Sequence, residues 1–153
     1  ARPDEELVDT LMSDAYFAAA PPKSTGRDLF TLEWVGRVAR ARQLDARVVL
    51  ASLTELTARS IGDAIARWAP AAEDVVLCGG GARNATLTRS LQRRLGASRP
   101  VRVADELGVA ADQVEALAFA WLARRHLRRE AGNLPAATGA RGPRVLGALY
   151  PAA

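Results

Sequence analysis

Residues 73–105 read EDVVLCGGGARNATLTRSLQRRLGASRPVRVAD. The apolar stretch Val75–Cys78 is too short for a helix and ends at glycines, which is typical of a buried strand. PVRVAD at 100–105 alternates and predicts a second strand. The segment from Asn84 to Leu95 predicts a helix, with Asn84 as its N-cap. A strand, a helix and a strand in this order indicate two neighbouring parallel strands with a right-handed crossover.

Helices are predicted for most of the remaining chain, because apolar residues recur there at helical spacing. The predicted helices are 4–16, 31–43, a long segment that Asp45 could cap and that ends near Trp68, and 110–130. The tail from residue 132 is predicted as loop, with a strand near Arg144–Leu149. These elements favour a helix-rich α/β fold with a small, mostly parallel sheet and crossover helices, forming a single domain over 1–153.

The apolar faces of these elements supply the predicted core. The side chains expected to be mostly buried are Leu53, Leu56, Trp68, Leu117 and Trp121. In the helix at 110–130, the predicted inner face also carries Val114, Ala118 and Leu122. Cys78 is expected to be a small core residue at the end of the first strand, with no reactive role.

The composition excludes several classes of protein. With one cysteine and one histidine among 153 residues, neither a disulfide framework nor a zinc site of those ligands is expected. No apolar run approaches the roughly 18–20 residues that span a bilayer, and ARPDEELVDT at the start lacks the apolar stretch of a signal peptide. A cytoplasmic protein without a membrane partner is therefore expected.

The net charge of +4 is a weak argument for a nucleic-acid partner. The densest basic run, Arg124–Arg129, is predicted to be a solvated helix end, where cations favour the negative end of the helix dipole. A nucleic-acid-binding helical protein is the alternative. It lacks interleaved aromatic residues and a recognised docking motif, so no nucleic acid is expected as partner.

The chain has three consecutive glycines, Gly79, Gly80 and Gly81, which is more than a simple turn needs. A strand that leads into glycines and a helix N-terminus suits a phosphate or a ribose, because bare N–H groups and the positive helix end face the ligand. A purely structural turn is the alternative. Asp105 ends the next strand, where a dinucleotide fold places a ribose-binding acid. However, G-x-G-x-x-G would require glycine where Asn84 stands, so that fingerprint fails.

Four stretches together resemble the anhydro-N-acetylmuramic acid kinase family. They are DAYFAAAPPKSTGRDLF (14–30), CGGGARN (78–84), DELGVAADQVEALAFAWLA (105–123) and GNLPAATGARGPRVLGALYP (132–151). The resemblance implies part of a two-lobed, actin-like (ribonuclease H-like) ATPase fold. It also implies an ATP-dependent sugar kinase that opens a 1,6-anhydro ring and yields N-acetylmuramic acid 6-phosphate during peptidoglycan recycling. The small-molecule partner is then anhydro-N-acetylmuramic acid, and a homodimer is one option for assembly.

The resemblance also implies where the functional groups lie. Gly79, Gly80 and Gly81 would form the adenosine side of an ATP cleft, with Asn84 opening the helix beneath it. Glu115 would lie near the sugar. The alternative is that Glu115 is an ordinary glutamate on the solvent-exposed side of the helix. Lys23 and Arg27 could meet a phosphate or the lactyl carboxylate of the sugar, and their alternative is a solvent-exposed loop.

By the same resemblance, this chain is the C-terminal lobe of the kinase. The first phosphate loop, the catalytic aspartate and the D-x-x-G hairpin of the family would precede it. No catalytic residue and no metal ligand are therefore expected within the chain, and Mg²⁺ would be held mainly by the other lobe. A chaperone-like ATPase lobe, or a nucleotide-binding module without sugar kinase activity, is the alternative. The tail GNLPAATGA favours the sugar kinase.

Overall fold

The structure is a computed structural model that describes residues 1–150. The described part of the chain is rich in helices and contains one small sheet. The elements are α1 (Glu5–Met12), α2 (Ala15–Ala18), α3 (Leu32–Ala41), α4 (Ala46–Trp68), β1 (Val75–Leu77), a 3₁₀ turn (Gly80–Arg83), α5 (Ala85–Leu95), β2 (Val101–Val103), a second 3₁₀ turn (Ala104–Leu107), α6 (Val114–Leu127) and α7 (Pro135–Thr138).

The first half of the chain forms a helical unit around α1 and α4. Its core contains Leu7, Val8 and Leu11 of α1 together with Leu56 of α4. Asp4 caps α1, since its Oδ1 accepts a hydrogen bond from the Leu7 N–H at 2.7 Å. The predicted burial of Leu56 is confirmed, because only 6% of the residue is exposed.

An aromatic cluster covers one side of this helical unit. Tyr16, Phe17, Phe30 and Trp34 pack with ring centroids 4.9–5.6 Å apart. The indole N–H of Trp34 donates to Asp14 at 3.1 Å. Phe30 stands in the loop ahead of α3, so the cluster fixes this loop against α2 and α3.

The sheet has the predicted parallel pairing. Val75 pairs with Val101 and Leu77 with Val103, and α5 connects the two strands. Leu91 of α5 is fully buried. Gly62 of α4 has no side chain, and the Arg94 side chain of α5 packs over it, so that a Cβ at Gly62 would lie 3.3 Å from Cδ of Arg94. The helix–sheet unit is thereby anchored on α4. The right-handedness of the crossover stays a prediction.

Three predicted segments differ from the structure. The helix expected over 4–16 is interrupted at Ser13–Asp14, where Asp14 caps α2 through the Tyr16 N–H. The strand expected near Arg144–Leu149 is wrong, because this segment has no regular structure. Its backbone is held at Arg144, whose N–H donates to the Asn133 carboxamide oxygen at 2.6 Å and whose carbonyl accepts the Gly132 N–H at 2.9 Å. The four-residue α7 was predicted as loop.

The predicted core was partly wrong. Trp68, Trp121 and Leu117 are 43%, 48% and 58% exposed, and Leu53 is half-buried. No residue of α6 is buried, although its apolar residues repeat at helical spacing. Periodicity identifies an apolar helix face, but it does not show that another element of the same chain covers that face. The two-stranded sheet is too narrow to cover the apolar face of α6.

Candidate functional site

The glycine loop, Gly79–Gly81, lies where the first of the two parallel strands ends. β1 stops at Leu77, and the chain then turns through the loop into the 3₁₀ turn and α5. Because parallel strands end at one edge, the segment after β2 lies at the same edge of the sheet. Cys78 is exposed, so its predicted core position is wrong. It follows the last strand residue at the border of a sheet too narrow to enclose it.

The three glycines have different conformations. Gly79 has φ +68° and ψ −166°, a region that is essentially restricted to glycine. The backbone of Gly80 and Gly81 lies outside the positive-φ region. A Cβ at Gly80 would meet no atom within 4 Å, and one at Gly81 would make only an ordinary contact of 3.8 Å with Leu87. The fold therefore requires glycine at 79, whereas Gly80 faces open space and a Cβ at Gly81 would fit without a clash.

Asn84 has the predicted role of N-cap. Its Oδ1 accepts hydrogen bonds from the N–H groups of Thr86 and Leu87, each at 3.1 Å. The cap fixes the start of α5 directly after the glycine loop. The positive end of the α5 dipole is thus presented at the same edge of the sheet as the open glycines, which is an arrangement that favours anionic groups.

A network that the sequence did not predict ties the loop to the segment ahead of α6. The Gly79 N–H donates to the carbonyl of Ala111 at 2.7 Å, and the Ala111 N–H donates to Oδ2 of Asp105 at 3.1 Å. Arg83 forms an ion pair with Asp112 beside it. The only signal in the sequence was an acid directly after a strand, which the dinucleotide pattern would have assigned to a ribose.

Glu106 organises the end of β2. Its Oε1 accepts a hydrogen bond from the Val103 N–H at 3.0 Å, and its Oε2 lies 3.4 Å from Nε of Arg102. The bond from Val103, followed by that from Arg102, holds the pKa of the Glu106 carboxyl below its ordinary value. Glu106 remains ionised at neutral pH, and its contacts stay with Val103 and Arg102 of β2.

Glu115 stands in the first turn of α6, three residues after Asp112. Glu115 is exposed in the described part of the chain, which agrees with the alternative of a solvent-facing glutamate, and its position near the sugar stays a prediction. The helix has no covering element there, so its carboxylate needs no buried partner. Its position at the start of α6 brings it to the segment that is hydrogen-bonded to the glycine loop.

Lys23 and Arg27 lie on a different part of the molecule. The Lys23 ammonium donates to the carbonyls of Tyr16 and Phe17 at 2.8 and 3.1 Å, at the end of α2, and lies 4.6 Å from the Tyr16 ring centroid. Arg27 is exposed. Among the described residues, no hydrogen bond joins either side chain to the glycine loop.

Two clefts border Lys23. One, of about 420 Å³, lies between α2 and α4 and also includes Arg67 and Trp68. The other, of about 360 Å³, separates the loop that carries Lys23 from Thr138 of α7. The structure therefore brings the PPKSTGR loop next to the tail segment, and it keeps the candidate site residues in two groups.

The described residues offer no dedicated metal cage. Within 1–150, no group of three or more His, Cys, Asp or Glu side chains is arranged to hold an ion. None of the helices in this part of the chain is both long and apolar enough to cross a membrane.

These features define the chain as a helix-rich α/β protein with a strand–glycine–helix junction of the kind that accommodates phosphates and nucleotides. Its family follows from comparison with known proteins. A family model described as "Anhydro-N-acetylmuramic acid kinase" matches residues 2–152. The chain belongs to this family, and the predicted resemblance is confirmed.

Similar proteins carry the same name. The chain is 53% identical over 151 residues to an anhydro-N-acetylmuramic acid kinase of Bordetella pertussis, with 95% of the chain and 39% of the relative covered. It is 50% identical over 151 residues to one of Ralstonia nicotianae, with 97% and 39% covered. It is 47% identical over 146 residues to one of Nitrosomonas europaea, with 95% and 40% covered. The chain thus spans about 40% of the length of these relatives.

Proposed function

We propose that this chain is the C-terminal, nucleotide-binding part of an ATP-dependent anhydro-N-acetylmuramic acid kinase. The whole protein would open the 1,6-anhydro ring and phosphorylate the sugar, giving N-acetylmuramic acid 6-phosphate for peptidoglycan recycling in the cytoplasm. The observation that carries this proposal is the family match over residues 2–152, which includes the glycine loop and both strands.

We propose that the chain contributes to the second lobe of an actin-like ATPase fold. The parallel strands and the crossover helix α5 fit such a lobe. Exposed apolar side chains lie on more than one side of α6, with Leu117 and Trp121 on one face and Phe119 on another, and further strands or helices of the whole protein would cover them.

The glycine loop fits the adenosine side of an ATP cleft. Gly80 and Gly81 present backbone with no side chain in the way, and the capped start of α5 favours negative charge. ATP supplies the phosphoryl group when it is bound. Mg²⁺ commonly uses one or two carboxylates together with the substrate phosphates. We place those carboxylates mainly in the other lobe.

The candidate residues for sugar binding lie in two separate groups, Glu115 in one and Lys23 with Arg27 in the other, and we propose a role for each. Glu115 is exposed at the start of α6, where its carboxylate is free to accept hydrogen bonds from sugar hydroxyls. Arg27 offers an exposed guanidinium, which suits a phosphate or the lactyl carboxylate. Lys23 holds two backbone carbonyls, so its ammonium would act on such a group only with its remaining donor.

A phosphorylation assay of the whole protein, with all residues that its gene encodes, tests this proposal. We expect ATP-dependent conversion of anhydro-N-acetylmuramic acid to a product with the mass of N-acetylmuramic acid 6-phosphate. Glu115→Gln should raise the KM for the sugar. Glu130→Gln is the matched control, because Glu130 lies beyond the far end of α6 and pairs with Arg125 at 2.9 Å. Absence of phosphoryl transfer to the anhydro sugar would refute the proposed function.

A further inference from the structure

A single residue, Ala111, connects the glycine loop to an acidic side chain. Its carbonyl accepts the Gly79 N–H at 2.7 Å, and its own N–H donates to Asp105 Oδ2 at 3.1 Å. Ala111 is 7% exposed, and its bond to the exposed residue Asp105 is partly buried. The carboxylate of Asp105 is therefore linked through one residue to the backbone position that requires glycine.

The backbone conformation of Gly79 sets the direction of the glycine loop, so the link from Asp105 affects the whole loop. Its ψ of −166° at φ +68° directs the following backbone toward the 3₁₀ turn and α5. Glycine enters this region freely but enters others as well, so a restraint is needed to select this conformation. The bond from the Gly79 N–H to Ala111 is such a restraint, and it depends on where the Ala111 peptide lies.

Asp105 contributes both to the turn that leads to that peptide and to the peptide itself. Its carbonyl accepts the Gly108 N–H at 3.1 Å, and the neighbouring Ala104 carbonyl accepts the Val109 N–H at 3.2 Å, which closes the turn. Its carboxylate then reaches across this turn to Ala111. A charged acceptor forms a stronger hydrogen bond than a neutral one.

The second link to the loop is weaker. Arg83 and Asp112 form an ion pair, but both side chains are more than half exposed. Exposed pairs contribute little to stability, since water and salt screen them. Asp105 is exposed too, but its bond to Ala111 is partly buried and holds the same residue that accepts the Gly79 N–H.

We infer that Asp105 is a positioning residue for the glycine loop: through Ala111 it holds Gly79 in the conformation that presents Gly80 and Gly81 to the nucleotide. This inference rests on the proposed function for its ligand. It assigns Asp105 a role that needs no ribose, because Oδ2 accepts a hydrogen bond from the protein's own backbone. The link between Asp105 and Gly79 is a property of the protein without any ligand.

Hydrogen exchange of the whole protein without nucleotide tests the link. Asp105→Ala should make the Gly79 amide exchange about tenfold faster, because a hydrogen bond to a charged group restrains the opening of this segment. Asp105→Asn, which retains an acceptor oxygen, should restore most of the protection. Glu106→Ala is the matched control: Glu106 stands in the same turn and binds backbone, but it reaches Val103 and not Ala111. Asp105→Ser, whose side chain is too short for Ala111, replaces the alanine variant if that variant does not fold.

Nucleotide binding tests the consequence. Asp105→Ala should raise the Kd and the KM for ATP by about three- to tenfold, with the KM for the sugar and the kcat at saturating ATP within about twofold of the unaltered protein. Glu106→Ala should leave the ATP Kd unchanged. Equal protection of the Gly79 amide in the Asp105 and Glu106 variants, or an unchanged ATP Kd in Asp105→Ala, would overturn the inference. If the unaltered protein binds no ATP, the proposed function fails, and the exchange data alone decide whether Asp105 holds the loop.

Discussion

Substitutions at adjacent glycines should separate the structural requirement from the ligand-binding requirement of the loop. Gly79 occupies a backbone region that is essentially restricted to glycine. Gly79→Ala should therefore destabilise the fold by about 1–3 kcal/mol even without a ligand. For a domain of this size, each kcal/mol lowers the Tm by roughly 2–4 °C.

Gly80→Val should have the opposite profile. The backbone at Gly80 lies outside the positive-φ region, and a Cβ there would meet no atom within 4 Å. The Tm should stay within about 2 °C, because no contact or conformation of the described chain is disturbed. A side chain at a close-packed contact with adenosine costs about 1–3 kcal/mol, which weakens ATP binding roughly ten- to a hundred-fold.

Calorimetric titration with ATP and thermal melting of the two variants provide the comparison. We expect Gly79→Ala to lower the Tm and Gly80→Val to lower the ATP affinity, both measured in the whole protein. A large fall in Tm for Gly80→Val, with normal ATP binding by the folded fraction, would refute the reasoning. The glycines would then form a structural turn only.

Three further predictions concern stability, acid sensitivity and activity. Leu56→Ala should lower the free energy of unfolding in urea by about 2–5 kcal/mol, whereas Leu117→Ala in this chain should lower it by less than about 1 kcal/mol. Hydrogen bonds from Arg42 and the Leu7 N–H hold the pKa of Asp4 below its ordinary value. The stabilisation of the fold by ionised Asp4 is therefore present above about pH 4 and is lost at lower pH. Asp4→Asn should make the free energy of unfolding fall less steeply on acidification. The chain alone should transfer no phosphate from radiolabelled ATP, because we propose that the groups that stabilise the γ-phosphate lie in the other lobe.

Each of these predictions has a contrary outcome. Similar losses for the two leucine variants would show that the exposure difference of 6% against 58% does not describe their packing. An acid unfolding curve of Asp4→Asn that superimposes on the unaltered protein would remove Asp4 from the pH dependence. Product formation by the chain alone, at rates close to those of a full-length relative, would contradict the division of functions between lobes.

The local elements were predictable because their signals are local. Asn84 stands directly ahead of a helical pattern and caps it, and the two strands pair in parallel as their connection by α5 required. The glycine run indicated an unusual backbone, which the structure assigns to Gly79 alone. Family membership was also predictable, since four long stretches carry it in order.

The tertiary environment was less predictable, because it depends on what each face meets. Trp121 and Leu117 have the spacing of a core face, yet α6 packs on too little of the described chain to bury them. The Asp105–Ala111–Gly79 link was missed since it joins a side chain to backbone in a turn, where no periodic pattern exists. The hydrogen bonds of Lys23 were equally unpredictable, because its acceptors are backbone carbonyls, which every residue carries.

A crystal structure of the whole protein with bound ATP or a non-hydrolysable analogue tests the central claim most directly. The glycine loop should lie against the nucleotide, with atoms of the adenosine within about 4–4.5 Å of the backbone of Gly80 or Gly81. Asp105 should still accept the Ala111 N–H in that complex. A nucleotide bound elsewhere, with Gly80 and Gly81 open to solvent, would contradict the assignment of this loop to ATP.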